Sequence, residues 1–164
     1  MTRLLSRRRV LGAGGAAALV PVVGRPTAAG AATMGGPLVT LRTAIRVYDS
    51  RTSSILGGRK LGPGDSLDVA VSSALEDNFA LAVFLNCSIT ETEGSGFLVL
   101  RPTDLSGEAP FPATSNINWW ASGLTLGNAS LVAVGSENSI EIHCRGAGRT
   151  HVIIDIQGYV PYVP

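Results

Sequence analysis

The chain has 164 residues, of which 45% are apolar and 15% charged, so it is long enough and apolar enough for one folded domain and is not a disordered chain. If residues 1–31 are removed, eight basic residues face twelve acidic ones, a net charge of −4. A net-negative chain without basic clusters has no electrostatic footprint for nucleic acid or anionic lipid. We therefore expect no nucleic-acid partner.

The N-terminus has the pattern of an export signal. Arg7 and Arg8 form a twin-arginine pair within SRRRVL, and residues 10–23 follow without a charge. Ala29-Gly30-Ala31 is a small-residue cleavage pattern. The uncharged stretch is too short and too weakly apolar to anchor the chain. We predict a cleaved twin-arginine signal over 1–31, a flexible lead-in over 32–37, a folded domain over 38–164, and no membrane span after cleavage; a buried N-terminal helix is the alternative.

Period-two alternation dominates the rest of the chain. In Phe79–Pro102 the odd positions from Leu81 to Ile89 are apolar, which is typical of a strand with one buried face. With a turn over 91–96 and a second apolar run over 97–101, this stretch predicts a central β-hairpin. The remaining predicted strands are 38–41, 45–49, 67–71, 116–120, 130–134, 139–144 and 150–160.

No stretch after residue 31 has a convincing helical period, and 103–114 has two prolines and no periodicity, which predicts a surface loop. Eight or nine short strands without helices for parallel crossovers predict an all-β fold, a single antiparallel, jelly-roll-like β-sandwich.

Six segments together resemble a domain family that is widespread in secreted proteins of high-GC Gram-positive bacteria. The segments are VYDSR (47–51), VFLNCSIT (83–90), GFLVLRP (96–102), SNINW (115–119), TLGN (125–128) and THVIIDIQGYV (150–160). In that family the pattern reads LLDTR, VLNVT, GYLTVYP, SNLNF, TVAN and THLIVDVQGYY, alone, repeated, or attached to cell-wall and polysaccharide hydrolases. The resemblance implies a non-catalytic β-sandwich module. This chain departs from the family at Cys87, Cys144 and Trp120.

The recurring polar residues are the functional candidates. A structural network is predicted for Asp49, Arg51 and Asn86, because polar side chains on covered strands need partners. A ligand groove is the alternative for the remaining ones. We predict ligand binding by Trp120 together with Asn116, Asn118, Asn128, Asp155 and Gln157.

Adjacent tryptophans point to opposite faces of a strand, so Trp119 is expected in the core and Trp120 outside it. An exposed indole beside amides suits a sugar: its flat face packs on ring C–H groups and the amides bind hydroxyls. Burial of Trp120 under the following loop or in a subunit contact is the competing interpretation. Phe84 is expected to face outward, with Phe97 beside it across the hairpin, which favours a homo-oligomer.

Catalytic and metal-binding patterns are absent from the sequence. There is no GxSxG elbow, and His143, Cys144 and His151 have no zinc-motif spacing. We predict no metal and no cofactor. The two cysteines, Cys87 and Cys144, both fall on apolar faces, and an oxidising compartment favours a disulfide between them; two separate buried thiols are the alternative.

The functional prediction is a secreted, extracellular or cell-wall-associated module that binds glycan or a cell-wall polymer, or that assembles with itself. Two alternatives stay open. One is an accessory subunit of a separately encoded exported enzyme. The other is a small secreted hydrolase that uses Asp49, Asp155 or the Glu91 and Glu93 pair.

Overall fold

The computed structural model describes residues 35–75, 79–103, 114–135 and 137–163. The predicted signal with Arg7 and Arg8, half of the lead-in and most of the proline-containing loop lie outside these residues. Eight strands form the fold, and one 3₁₀ turn, Ser72–Ala74, follows the second strand. The strands are β1 Val39–Asp49, β2 Ser66–Ala70, β3 Ala80–Glu93, β4 Gly96–Pro102, β5 Ile117–Trp119, β6 Leu126–Ala133, β7 Ser139–Gly146 and β8 Arg149–Pro161.

Two antiparallel four-stranded sheets pack face to face. The first sheet has the strand order β1-β8-β3-β6, and the second has the order β2-β7-β4-β5. Each sheet therefore mixes strands from both halves of the chain, as in a jelly roll built from two Greek keys. The all-β, jelly-roll-like sandwich predicted from the sequence is confirmed. No helix in the described ranges combines the length and the apolar character that crossing a membrane requires.

The core lies between the sheets and follows the period-two pattern. On β3, Val83, Leu85, Cys87 and Ile89 are fully buried and alternate with partly exposed residues. On β8, the corresponding inward residues are Val152, Ile154 and Ile156. Their apolar surface faces strands of the second sheet, so hydrophobic burial holds the two layers together.

The predicted central hairpin is wrong. β3 pairs with β6 and β8, whereas β4 pairs with β5 and β7, so the chain changes sheets after Glu93. Gly94, with φ of +61°, makes the turn. Crossing between the layers lets both strands direct their apolar sides into one core. Phe84 and Phe97 consequently lie on opposite outer faces of the sandwich and do not form one patch.

β1 is one strand where the sequence predicts two. Its register with β8 jumps from Thr40 opposite Gly158 to Ile45 opposite Ile156, and the intervening residues of β1 form an irregularity within the strand. A Cβ at Gly158 would lie 2.5 Å from the carbonyl oxygen of Val39, so the close approach of β1 requires glycine there. The apolar alternation breaks at this irregularity, which explains the interrupted sequence pattern.

Candidate functional site

The two adjacent tryptophans separate as predicted. Trp119 ends β5 and is only 2% exposed, whereas Trp120 follows it and is 71% exposed. The ring of Trp119 packs directly on the backbone of Gly96, because a Cβ at that position would lie only 2.5 Å from the ring. The glycine at position 96 therefore leaves room for the Trp119 indole in the core, whereas the Trp120 indole lies at the surface.

The loop that carries Trp120 is fixed to the end of β3. The hydroxyl of the buried residue Thr92 donates a hydrogen bond to the carbonyl of Ala121 at 2.7 Å and accepts one from the Leu124 amide at 2.8 Å. The Gly123 amide donates to the carbonyl of Thr92 at 2.7 Å. Because both ends of the short loop are held, the base of the Trp120 side chain is positioned before any ligand arrives, which lowers the cost of binding.

The outward face of the second sheet continues from Trp120. Asn118 is exposed and lies opposite Phe97, which in turn lies opposite Arg145 on β7. The Asn118 amide donates to the Ser115 hydroxyl at 2.7 Å. Asn118, Phe97 and Arg145 thus lie side by side on the neighbouring strands β5, β4 and β7, and Trp120 follows Asn118 by two residues. We call Trp120, Asn118, Phe97 and Arg145 the Trp120 surface.

Two of the predicted ligand residues have a structural role. Asn116 accepts a hydrogen bond from the Leu100 amide at 2.7 Å, and its own amide nitrogen lies 3.4 Å from the Ser130 hydroxyl. The side chain of Asn128 donates to the backbone carbonyl of Asn116 at 2.6 Å. These bonds join β4, β5 and β6 where the two sheets meet at one edge, so they hold the edge together rather than face a ligand.

The other two predicted ligand residues lie elsewhere. Asp155 is on the outward face of the first sheet, where Arg46 donates to it from Nε at 2.8 Å and from Nη2 at 3.2 Å. Gln157 lies in a bulge of β8, between Ile156 opposite Leu85 and Gly158. The structure therefore brings Asn118 and Trp120 together and leaves Asp155 and Gln157 on the other sheet.

The predicted polar network is present in two parts. Arg51 donates two hydrogen bonds to the Asp49 carboxylate, from Nε at 2.9 Å and from Nη2 at 2.6 Å, and these bonds lower the pKa of the Asp49 carboxyl. Arg46 also reaches Asp49, at 3.5 Å. Asn86 lies on β3 opposite Asp155, the other partner of Arg46, and its side chain donates to Ser88 at 2.8 Å. Sequence reasoning missed Arg46, although this residue directly precedes the VYDSR segment and was therefore a candidate partner for Asp49.

A buried charged cluster on the second sheet was also missed. Arg101 and His143 both contact the Glu141 carboxylate, at 2.7 Å and 2.8 Å, and all three residues are less than 10% exposed. Burial raises the pKa of Glu141, but the hydrogen bonds from His143 and Arg101 outweigh that effect and the pKa is lowered. Alternation with the inward residues Ile140 and Ile142 was the signal that Glu141 and His143 face outward.

One pair resembles a nucleophile with its base. The Ser50 hydroxyl lies 2.9 Å from Nδ1 of His151, and the backbone amide of Val152 donates to the same hydroxyl at 2.9 Å. Ser50 is fully buried, so a substrate has no access to its oxygen. The arrangement ties the end of β1 to β8 and has no geometry for acyl transfer.

Three of the four carboxylates proposed for hydrolysis, Asp49, Asp155 and Glu93, are engaged by cations. Glu93 accepts from Lys60 at 2.7 Å, and this hydrogen bond lowers the Glu93 pKa. Asp49 has a lowered pKa for the same kind of reason, and Asp155 is held by Arg46. A glycosidase needs one carboxyl with a raised pKa as its general acid. The pKa values of Asp49 and Glu93 are shifted in the opposite direction.

The predicted disulfide is not formed. Cys87 and Cys144 are both free, and both point into the core as expected. Cys87 lies opposite Ile154, whereas the Cys144 sulfur is 3.7 Å from the carbonyl oxygen of Leu61, which pairs with Thr150. Cys87 is therefore level with Ile154 on β8 and Cys144 with Thr150, and these two positions are four residues, or about 13 Å, apart along that strand. A disulfide needs its two Cα atoms within about 7 Å of each other. Burial raises the thiol pKa values to about 12 for Cys87 and about 11 for Cys144.

Within the described part of the chain, no group of three histidine, cysteine or carboxylate side chains is arranged to hold a metal ion. His143 faces outward while Cys144 faces the core, which separates two of the residues weighed as ligands. No protein-family model matches the chain, and no curated protein is significantly similar to it.

Proposed function

We propose that the domain is a secreted, non-catalytic module of the cell envelope that binds glycan through the Trp120 surface. The observation that carries this proposal is the 71% exposure of Trp120 on a loop fixed by Thr92. Because hydrogen bonds already hold the loop that carries Trp120, little conformational entropy is lost when a ligand binds. The exposed indole offers a flat apolar face to a pyranose ring. Asn118 beside it supplies a donor and an acceptor for ring hydroxyls.

Charge supports a neutral or weakly polar ligand over an anionic one. The predicted mature chain has a net charge of −4, which repels polyanions at long range. The lowered pKa values of Asp49 and Glu93 leave these carboxylates ionised and paired at neutral pH, which favours binding over acid catalysis.

The test is co-sedimentation of the protein with insoluble Gram-positive cell walls. Trp120→Ala should weaken binding by about tenfold, the equivalent of one lost aromatic contact. Phe79→Ala is the matched control, because Phe79 is 65% exposed and lies at the opposite end of β3. Unchanged sedimentation of Trp120→Ala, or an equal loss in Phe79→Ala, would overturn the proposal.

Self-assembly is a second candidate, favoured by one observation. Leu131, 63% exposed, lies directly opposite the outward-facing residue Phe84 on the first sheet. Two adjacent apolar side chains on a sheet face suit contact with a second copy of the chain. Light scattering at high concentration should give a mass above the monomer that Leu131→Ser reduces. A monomeric parent would remove this candidate.

We also propose that residues 1–31 direct export through the twin-arginine route. The support is the SRRRVL sequence and the small-residue region that follows the uncharged stretch. Replacing Arg7 and Arg8 together with Lys should retain the protein in the cytoplasm. Undiminished protein in the culture supernatant would contradict this route.

A further inference from the structure

A second surface with binding character lies beside β1. A pocket of about 460 Å³ opens between the end of this strand and the loop after it. Its size is within the range of small-molecule sites, roughly 300–1,000 Å³. The lining that matters for binding consists of Arg46, Asp49, Thr52, Ser53, Ser54 and Ile55.

A chain of alternating charges runs along one side of the pocket, and two of its members, Arg46 and Asp49, line the pocket. Arg51 holds Asp49 through two hydrogen bonds, Arg46 holds Asp155 through two more, and Arg46 also reaches Asp49. The four charges cancel, and each planar group is fixed by its neighbour. A guanidinium has five N–H donors, of which Arg46 uses three in these bonds. This chain of charges is therefore neutral overall, and Arg46 can donate further hydrogen bonds.

The other wall combines hydroxyls with one apolar side chain. Thr52, Ser53 and Ser54 follow one another in the loop, and the Ser53 oxygen accepts a hydrogen bond from the Ile55 amide at 3.2 Å. Ile55 is 64% exposed beside these hydroxyls. Hydroxyls next to an exposed aliphatic group complement the two kinds of surface that a sugar ring presents.

The charges that line the pocket indicate which class of ligand fits it. An anion would be repelled by the Asp49 carboxylate and a cation by the Arg46 guanidinium, both of which line the pocket. A neutral molecule with several hydroxyls avoids both repulsions and can bond with guanidinium, carboxylate and hydroxyl groups at once. The chemistry therefore fits a neutral pyranose.

This pocket and the Trp120 surface lie on opposite edges of the sandwich. β1 and β2 are the terminal strands at one edge, and β5 and β6 are the terminal strands at the other. Trp120 follows β5, whereas the pocket borders β1. Three strand spacings of about 4.8 Å separate the two edges within each sheet. A single sugar ring cannot contact both.

We propose that the pocket beside β1 is a second saccharide site and that the domain bridges two neutral glycan chains. The bridging role rests on the proposed function of the Trp120 surface, and the pocket itself does not. Two sites on one rigid domain raise the avidity for a polymer and allow crosslinking of separate chains.

The test is titration calorimetry of the full chain with two soluble probes, tetrameric N-acetylglucosamine and tetrameric β-1,4-linked glucose. The parent should bind two equivalents of at least one probe. Ile55→Asp should weaken the binding of one equivalent by about tenfold or more, and Trp120→Ala should remove the binding of the other equivalent. Phe79→Asp is the matched control, because Phe79 is 65% exposed and lies outside both surfaces. With a long soluble glucan, only chains that retain both sites should raise light scattering.

The outcomes separate the two proposals. One equivalent that is lost in Trp120→Ala but not in Ile55→Asp overturns the second site and leaves the proposed function standing. One equivalent that is lost only in Ile55→Asp supports the pocket, overturns bridging and contradicts the Trp120 surface. An equal loss in Phe79→Asp, or no heat with either probe, overturns the second site, while the proposed function is judged by cell-wall sedimentation.

Discussion

Replacement of each tryptophan by alanine should have very different effects on stability. Trp119 is 2% exposed, so nearly all of its side chain, about 200 Å², leaves water on folding. At about 25 cal/mol per Å² this burial contributes about 5 kcal/mol, close to the 3–5 kcal/mol measured for large aromatic residues in cores. Trp120 is 71% exposed, which leaves about 60 Å² covered and at most about 1.5 kcal/mol at stake.

Urea unfolding followed by far-UV circular dichroism measures both variants without relying on tryptophan fluorescence. We expect Trp119→Ala to lose about 4 kcal/mol of unfolding free energy, or to fail to fold, and Trp120→Ala to lose about 1 kcal/mol or less. Trp119→Phe, which keeps most of the ring, should lie between them and stay folded. A difference of less than about 1 kcal/mol between the two alanine variants would refute the separation of a core indole from a surface indole.

Three other properties are open to direct measurement. Gly96→Ala should destabilise the fold by about 1–3 kcal/mol in urea, because its Cβ would lie 2.5 Å from the Trp119 ring, and a neutral effect would contradict the packing described. Burial lowers the pKa of His151 below its unfolded value of about 6.5, so the stability it contributes is complete above that pH and is lost as the pH falls toward the folded pKa. Thermal melting should therefore drop from about pH 7 to 5 in the parent and drop less in His151→Gln, and equal slopes would contradict this. Alkylation with mass spectrometry should find Cys87 and Cys144 as two free thiols that react slowly until the chain is unfolded, since burial raises both pKa values; an intact bond would contradict the structure.

The sequence was sufficient to predict which side of each strand is buried. Alternation on β3 placed Cys87 inward and Phe84 outward, and both positions are correct. The same alternation placed Trp119 in the core and Trp120 outside it. These predictions succeed because the period of two is a property of a single strand and needs no knowledge of its neighbours.

Pairing between strands was beyond this kind of reasoning. Two consecutive amphipathic strands can pair in one sheet or face each other across a core, and β3 and β4 do the second. The bond between Arg46 and Asp155 spans 109 residues of sequence and depends on the register of β1 with β8. The two cysteines point inward at different levels of the sandwich, which alternation cannot reveal.

The most direct test of glycan binding uses Trp120 as its own reporter. The chain has two tryptophans, so Trp119→Phe leaves Trp120 as the single source of indole fluorescence. Titration with solubilised cell-wall glycan should shift the emission of this variant to shorter wavelength, because a sugar stacked on the exposed ring removes water from it. Emission that stays unchanged at glycan concentrations that saturate binding would contradict the account.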